Sequence, residues 1–183
     1  MIMFKRIIFA VLIIVNCVVI FMFSSQNSEK SSKTSGVVVE KVVDTISNSN
    51  KKVKKETIRE QVTFYVRKTA HFTIYTLLGI WLMNEANTFQ ITTKRKFVIC
   101  IIFGCLYAIT DEFHQSFVGG RSQELRDILI DTGGVFFGAV VVSIVCLIIS
   151  KIRLQKISNR NWQTSSIMIK YTNVSRLSRV HKC

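Results

Sequence analysis

Long uninterrupted apolar runs constrain what this chain can fold into more than any other feature. Residues 7–23 contain Asn16 as their one strongly polar side chain, and residues 128–149 contain Asp131 as their one charge. A helix needs roughly 20 mostly apolar residues to cross a bilayer core. Both runs reach or approach that length, so the sequence predicts helices that span a membrane.

Two further segments have the same character in a weaker form. Residues 62–83 are long enough but carry three ionisable side chains in their first half, and the 13 residues 97–109 end just before two acids. We therefore predict an all-α integral membrane bundle of four transmembrane helices. Residues 1–150 would form the membrane domain, and residues 151–183 a basic tail.

The charge balance has to be interpreted against this pattern. Lys and Arg number 25 against 11 acids, which in a soluble protein would favour nucleic-acid binding. Here charged and apolar residues are segregated into blocks, as in membrane proteins, so we expect no nucleic-acid partner. The five cysteines form no CxxC pair and have no metal-ligand spacing, and we therefore expect no disulfide framework, no metal site and no cofactor.

Unbalanced basic segments predict the orientation of the helices. Lys5 and Arg6 precede the first run, residues 94–96 are all basic, and the tail holds eight Lys or Arg and no acid. The positive-inside rule places these segments, with both termini, in the cytoplasm of a multi-pass cell-membrane protein. Residues 24–61 and 110–126 would then lie outside. The eight basic residues of segment 24–61 argue against an outer location, but that segment also holds five acids.

The first run could instead be a signal peptide, because basic residues precede its apolar core. That core is long, and residues 23–26 match a small-x-small cleavage site poorly. We therefore expect an uncleaved membrane anchor.

The first outer segment contains an amphipathic stretch. Its apolar residues recur at helical spacing with charged residues between them, and they are Val38, Val39, Val42, Val43 and Ile46. Such a stretch is typical of a helix lying on the membrane surface. A solvated loop with a weak helical tendency is the alternative. The basic tail should likewise contact anionic lipid headgroups.

Ionisable residues in the apolar zone are the main functional signal, because each costs about 2.5 to 3.5 kcal/mol at the centre of a spanning helix. The predicted topology brings polar and ionisable residues of three separate segments to one membrane depth at the outer end. They are Arg67, Lys68 and His71; Asp111, Glu112, His114 and Gln115; and Glu124, Arg126, Asp127 and Asp131. Scattered snorkelling charges would not converge in this way.

Helical spacing groups these residues into faces. The three predicted stripes are Lys68, His71 and Tyr75; Tyr107, Asp111 and His114, with Gln115 alongside; and Asp127, Asp131, Gly134 and Gly138. The glycine pair is a small-xxx-small contact that lets another helix approach closely. We expect the faces to form one functional cluster inside the bundle. A purely structural salt-bridge network is the alternative.

At these positions the chain resembles the VanZ-like family of bacterial membrane proteins, named for a protein associated with teicoplanin resistance. The matching motifs are residues 23–26, Arg67-Lys68 with Ala70-His71-Phe72 and Tyr75, Tyr107 with residues 111–115, and Gly120-Arg121 with Leu125-Arg126-Asp127. The resemblance covers roughly residues 4–150 and implies a multi-spanning envelope protein. Where the family commonly has proline-glycine, this chain has Gly119-Gly120, which gives a less rigid turn.

Two main functions are compatible with the cluster. A non-enzymatic envelope protein would bind an anionic lipid or lipid-linked cell-wall precursor through Lys68, Arg121 and Arg126, and would lower glycopeptide susceptibility. The alternative is a membrane enzyme acting on a lipid-linked phosphate or glycan, with Glu112 or His114 as general base. No nucleophile is evident for that enzyme, and catalytic residues are not assigned.

Two variants of these hypotheses stay open. A metal held by Asp111, Glu112 and His114 is disfavoured because adjacent helical residues point apart. A transporter would require an obligate oligomer, and the sequence does not define the oligomeric state. The candidate site residues are Lys68, His71, Tyr75, Asp111, Glu112, His114, Gln115, Arg121, Arg126 and Asp127.

Overall fold

Four long helices make up most of the described chain. The computed structural model describes residues 2–25, 39, 40, 43, 55–117 and 125–180, without the side chains of 55–58, 60 and 166–180. The helices are α1 (Ile2–Ser24), α2 (Lys55–Ala86), α3 (Thr93–Gln115) and α4 (Leu125–Val180). These residues contain no strand, so the predicted all-helical class is confirmed.

Three of the helices are long and apolar enough to cross a membrane. The spans are Ile2–Ser24, Thr93–Gln115 and Leu125–Ser165. The short apolar run at 97–109 is therefore part of a longer spanning helix that includes residues on either side of it. Helix α2 is not among the three, because its polar and charged residues lower its apolarity, and its membrane crossing stays a prediction.

The outward faces of the apolar helices support a membrane environment. On α3, Val98, Ile102 and Leu106 are each more than half exposed, and on α4 Phe136 and Leu147 are too. Soluble monomers rarely expose contiguous apolar surface on this scale. Lipid chains would cover these side chains at no cost in hydrophobic free energy, so the exposed apolar belt marks a membrane protein.

Helix α2 lies at the centre of the bundle. One apolar cluster joins residues of all four helices, namely Ile20 of α1, Tyr75 and Leu78 of α2, Ala108 of α3 and Val135 of α4. Each is no more than 2% exposed. The least apolar helix therefore packs against the three more apolar ones.

Glycines bring α2 and α4 into close contact, as the small-xxx-small spacing predicted. A Cβ atom on Gly134 would lie 2.7 Å from the carbonyl oxygen of Phe72, and one on Gly138 would lie 2.9 Å from the amide nitrogen of Ile80. Both distances are too short for a side chain. Only hydrogen atoms fit at these two crossings, which fixes the height of α4 against α2.

Contacts at the two ends show how α1 to α3 are aligned. At one end, Arg6 donates hydrogen bonds to the hydroxyl and carbonyl oxygens of Thr88, in the turn after α2. At the other end, the Ser25 hydroxyl lies 3.1 Å from Nε2 of His114. The candidate site residues of α2 and α3 lie toward this second end, which we call the polar end.

The predicted amphipathic stretch falls mostly outside the described residues. Val39 and Val43 are helical and buried, and they pack against Val62 and Val66 of α2. Glu40 forms an exposed ion pair with Arg59 at 3.8 Å. The two described valines thus contact the protein, and the location of the stretch on the membrane surface stays a prediction.

The chain divides into two compact units, Met1–Val142 and Ser143–Cys183. The first contains the packed core and all the described candidate site residues. In its described part the second is helical, and its side chains from 144 to 165 are exposed.

Candidate functional site

Three helices each supply one ionisable side chain to a tight cluster at the polar end. His71 of α2, Asp111 of α3 and Asp131 of α4 each place a potential ligand atom within 4.8 Å of the other two. Nδ1 of His71 lies 3.7 Å from Oδ2 of Asp131. Asp111 and Asp131 are 4% and 1% exposed, so two carboxyl groups are buried close together.

Neutral groups surround these two carboxyl groups. Gln115 donates a hydrogen bond of 3.0 Å to Oδ2 of Asp111 from the next turn of α3. The hydroxyl of Tyr75 lies beside Asp111 and Asp131, yet it has no hydrogen-bond partner of good geometry among the described residues. The same is true of Oδ2 of Asp131. Buried polar atoms without partners are costly and call for an explanation.

A second pair lies one turn toward the helix ends. Lys68 of α2 donates a hydrogen bond to Oδ1 of Asp127, and the two form a half-buried ion pair. The ammonium of Lys68 also lies 5.1 Å from the centre of the Phe64 ring, within cation–π range. Lys68 is therefore compensated locally by Asp127.

These groups line a depression in the polar end. A small, partly open depression lies among Arg67, Lys68, His71, Gln115, Asp127 and Asp131. Arg67 makes no ion pair within the described residues. The depression therefore combines a guanidinium that has no ion pair in the described residues with the carboxyl groups of Asp127 and Asp131.

Glu112, His114 and Arg126 do not line the depression. His114 stacks on Phe21 of α1 with ring centres 4.4 Å apart, and it is not among the residues lining the depression. Arg126 is exposed and lies 5.2 Å from the centre of the Phe64 ring. Glu112 is 3% exposed. Arg121 falls outside the described residues.

The structure therefore gives a mixed result for the candidate residues. It brings together Lys68, His71, Tyr75, Asp111, Gln115 and Asp127. It does not bring His114 to Asp111 as a common metal ligand, because the imidazole turns toward α1. Within the described helices, the residue that groups with Asp111 and a histidine is Asp131.

Two residues of the site were left out of the candidate set. Asp131 lies at the centre of the site. The sequence feature that could have identified it is an acid one turn inside a long apolar run. Arg67 belonged to the converging polar set but to none of the predicted stripes, because nothing in the sequence indicates which of two adjacent basic residues faces the depression. Their roles follow from the packing of α2 against α4.

A family model described as VanZ/LLP1 matches residues 9–148, which include all of these site residues. The chain belongs to the VanZ/LLP1 family. Membership makes it a VanZ-like cell-envelope protein, in line with its three span-capable helices. No curated protein and no solved structure matches the chain.

Proposed function

We propose that this VanZ-like protein binds the phosphate-bearing headgroup of an anionic lipid or lipid-linked cell-wall precursor in the depression at its polar end. The observation that carries the proposal is Arg67, whose guanidinium lines the depression without an ion pair in the described residues. A guanidinium can hold a phosphate through two parallel hydrogen bonds. Binding of this kind requires no covalent chemistry.

The proposal includes four membrane-spanning helices, with the depression facing outward and both termini in the cytoplasm. Helix α2 would span because two of its ionisable groups have acidic partners within the bundle and Arg67 lines the depression rather than facing lipid. Lys68 has Asp127, and His71 has Asp131. An outward depression would meet cell-wall precursors on the face of the membrane where glycopeptides act, which links binding to lowered teicoplanin susceptibility.

Lipid binding by protein in nanodiscs tests the proposal. The probe is a polyprenyl phosphate, with the uncharged polyprenol as reference and phosphatidylglycerol as the competing anionic lipid. Arg67→Ala should weaken polyprenyl phosphate binding about tenfold, because a hydrogen bond to a charged group contributes about 1.5 to 3 kcal/mol. The matched control is Lys94→Ala, which removes one exposed charge near the opposite end. Equal binding by the two variants would refute the proposal.

Arg121 provides a second test within the same proposal. Arg121→Ala should leave expression and thermal stability nearly unchanged while it weakens phosphate binding and abolishes any glycopeptide phenotype. Arg121→Lys should restore binding only in part, because an ammonium lacks the bidentate fork. A large loss of stability in Arg121→Ala would indicate a structural role instead.

A further inference from the structure

We propose that His71, Asp111 and Asp131 form a binding site for one divalent transition-metal ion, with Zn²⁺ and Mn²⁺ as the ions that suit this ligand set. The proposal is independent of lipid binding. It follows from the geometry of the cluster, its charge and its unpartnered polar atoms.

The ligand atoms are close to a coordination geometry. They lie within 4.8 Å of one another, whereas bonds of about 2.0 to 2.1 Å to a tetrahedral Zn²⁺ would separate them by about 3.3 Å. Small rotations of the carboxylates would close that difference, with each ligand atom moving about 1 Å or less. One imidazole and two carboxylates on three helices leave a further position for water or a ligand oxygen, as in open zinc sites.

The charge of the cluster calls for a cation. Two carboxyl groups, each at least 96% buried, face one imidazole. Lys68 is engaged by Asp127, and Gln115 gives Asp111 only a neutral donor. Buried like charges at this separation are strongly disfavoured unless a proton or a cation neutralises them. A divalent ion would neutralise both carboxylates at once.

The unpartnered atoms point to the same place. Oδ2 of Asp131 is buried without a hydrogen bond in the described residues, since its neighbour Nδ1 of His71 lies 3.7 Å away. The Tyr75 hydroxyl lies beside both carboxylates. An ion would use the free carboxylate oxygen directly. Tyr75 would then serve the outer shell of the site by donating to a ligating carboxylate, an arrangement that commonly orients metal ligands. His71 and Asp131 also line the depression, which provides an entry path.

Metal binding to the full-length protein tests the site. Protein with a histidine-free tag, purified in detergent and stripped with chelator, is titrated with ZnCl₂ or MnCl₂, and bound metal is counted by elemental analysis. We expect one equivalent of one of the two ions. The melting temperature should rise by about 5 to 10 °C at a hundredfold excess over Kd, since the ion joins three helices.

Matched variants separate this site from incidental binding. Asp131→Asn and His71→Gln should lose at least tenfold in affinity and lose the thermal shift. His114→Gln is the matched control for His71→Gln, because His114 stacks on Phe21 and does not line the depression. This control should keep both the affinity and the thermal shift. Equal binding by His71→Gln and His114→Gln would overturn the proposal.

Spectroscopy keeps the test decisive even if a variant fails to fold. Co²⁺ bound to the unmodified protein should show visible absorption typical of nitrogen and oxygen ligands, without the near-ultraviolet band of thiolate ligation. That band would assign the metal to the cysteines and refute the site. Absence of any bound ion would also refute it, and would leave a shared proton as the group that neutralises the carboxyl pair.

Discussion

Replacing Gly134 by alanine should separate α2 from α4 and destabilise the protein. The added Cβ would lie 2.7 Å from the Phe72 carbonyl oxygen, 3.1 Å from Cβ of Tyr75 and 3.2 Å from the Thr76 nitrogen. Two of these three atoms belong to the backbone, so they cannot rotate away. To reach ordinary contact distance the helices must move apart by about 0.7 Å, a gap that forfeits about a quarter to a half of the local dispersion energy.

The expected magnitude follows from overpacking in well-packed cores, which costs about 1 to 3 kcal/mol. Gly133→Ala is the matched control, because a Cβ there meets nothing within 4 Å. That neighbouring substitution should stabilise α4 by about 0.5 to 1 kcal/mol, since glycine is unfavourable inside a helix. The two variants add the same methyl group one residue apart and should change stability in opposite directions.

Reversible unfolding in mixed micelles, followed by circular dichroism and by fluorescence, gives the free energies of unfolding. Trp81 lies on α2 and reports its separation from the bundle. Equal stability of Gly134→Ala and Gly133→Ala would refute the close contact of α2 with α4. So would a Gly134→Ala variant more stable than the unmodified protein.

Three further predictions concern topology, the ion pair and an interhelical hydrogen bond. Externally added thiol reagent should modify Ser32→Cys and not Ser158→Cys in a background without native cysteines, and the reverse pattern would place the polar end in the cytoplasm. A double-mutant cycle of Lys68→Met and Asp127→Asn should give a coupling of about 1 to 3 kcal/mol in unfolding free energy, and additive effects would contradict the pair. The Tyr107 hydroxyl donates a 2.6 Å hydrogen bond to the Cys17 carbonyl. Tyr107→Phe should therefore lower the free energy of unfolding by about 0.5 to 1.5 kcal/mol in the same assay, and unchanged stability would argue against that bond.

Much of the fold could be predicted from the sequence, because apolar runs and helical periodicity are local properties. Helix α1 and the apolar part of α4 followed from run length, whereas the continuation of α4 to Val180 did not. The Lys68, His71 and Tyr75 stripe correctly grouped residues that face α4 or the buried carboxyl groups. The glycine spacing correctly identified a close helix contact, although the partner helix was known only from the structure.

The remaining features depend on helix rotation, which the sequence does not determine. His114 lies three residues after Asp111 and was grouped with it, but three residues leave an angular offset of about 60° on a helix. That offset is enough to turn the imidazole toward Phe21. The central position of Asp131 likewise depends on how α4 rotates against α2, and the glycine contacts set that rotation.

The central position of α2 has a consequence for how the protein is made. A translocon releases each helix according to its own apolarity, and α2 falls short of the three span-capable helices. Lys68 and His71 meet their acidic partners only when α4 arrives, about 60 residues later in synthesis. Under the proposed topology of four spanning helices, a nascent chain ending at residue 90 would leave α2 outside the bilayer. Its insertion would then be a late, cooperative event that requires the carboxyl-terminal half.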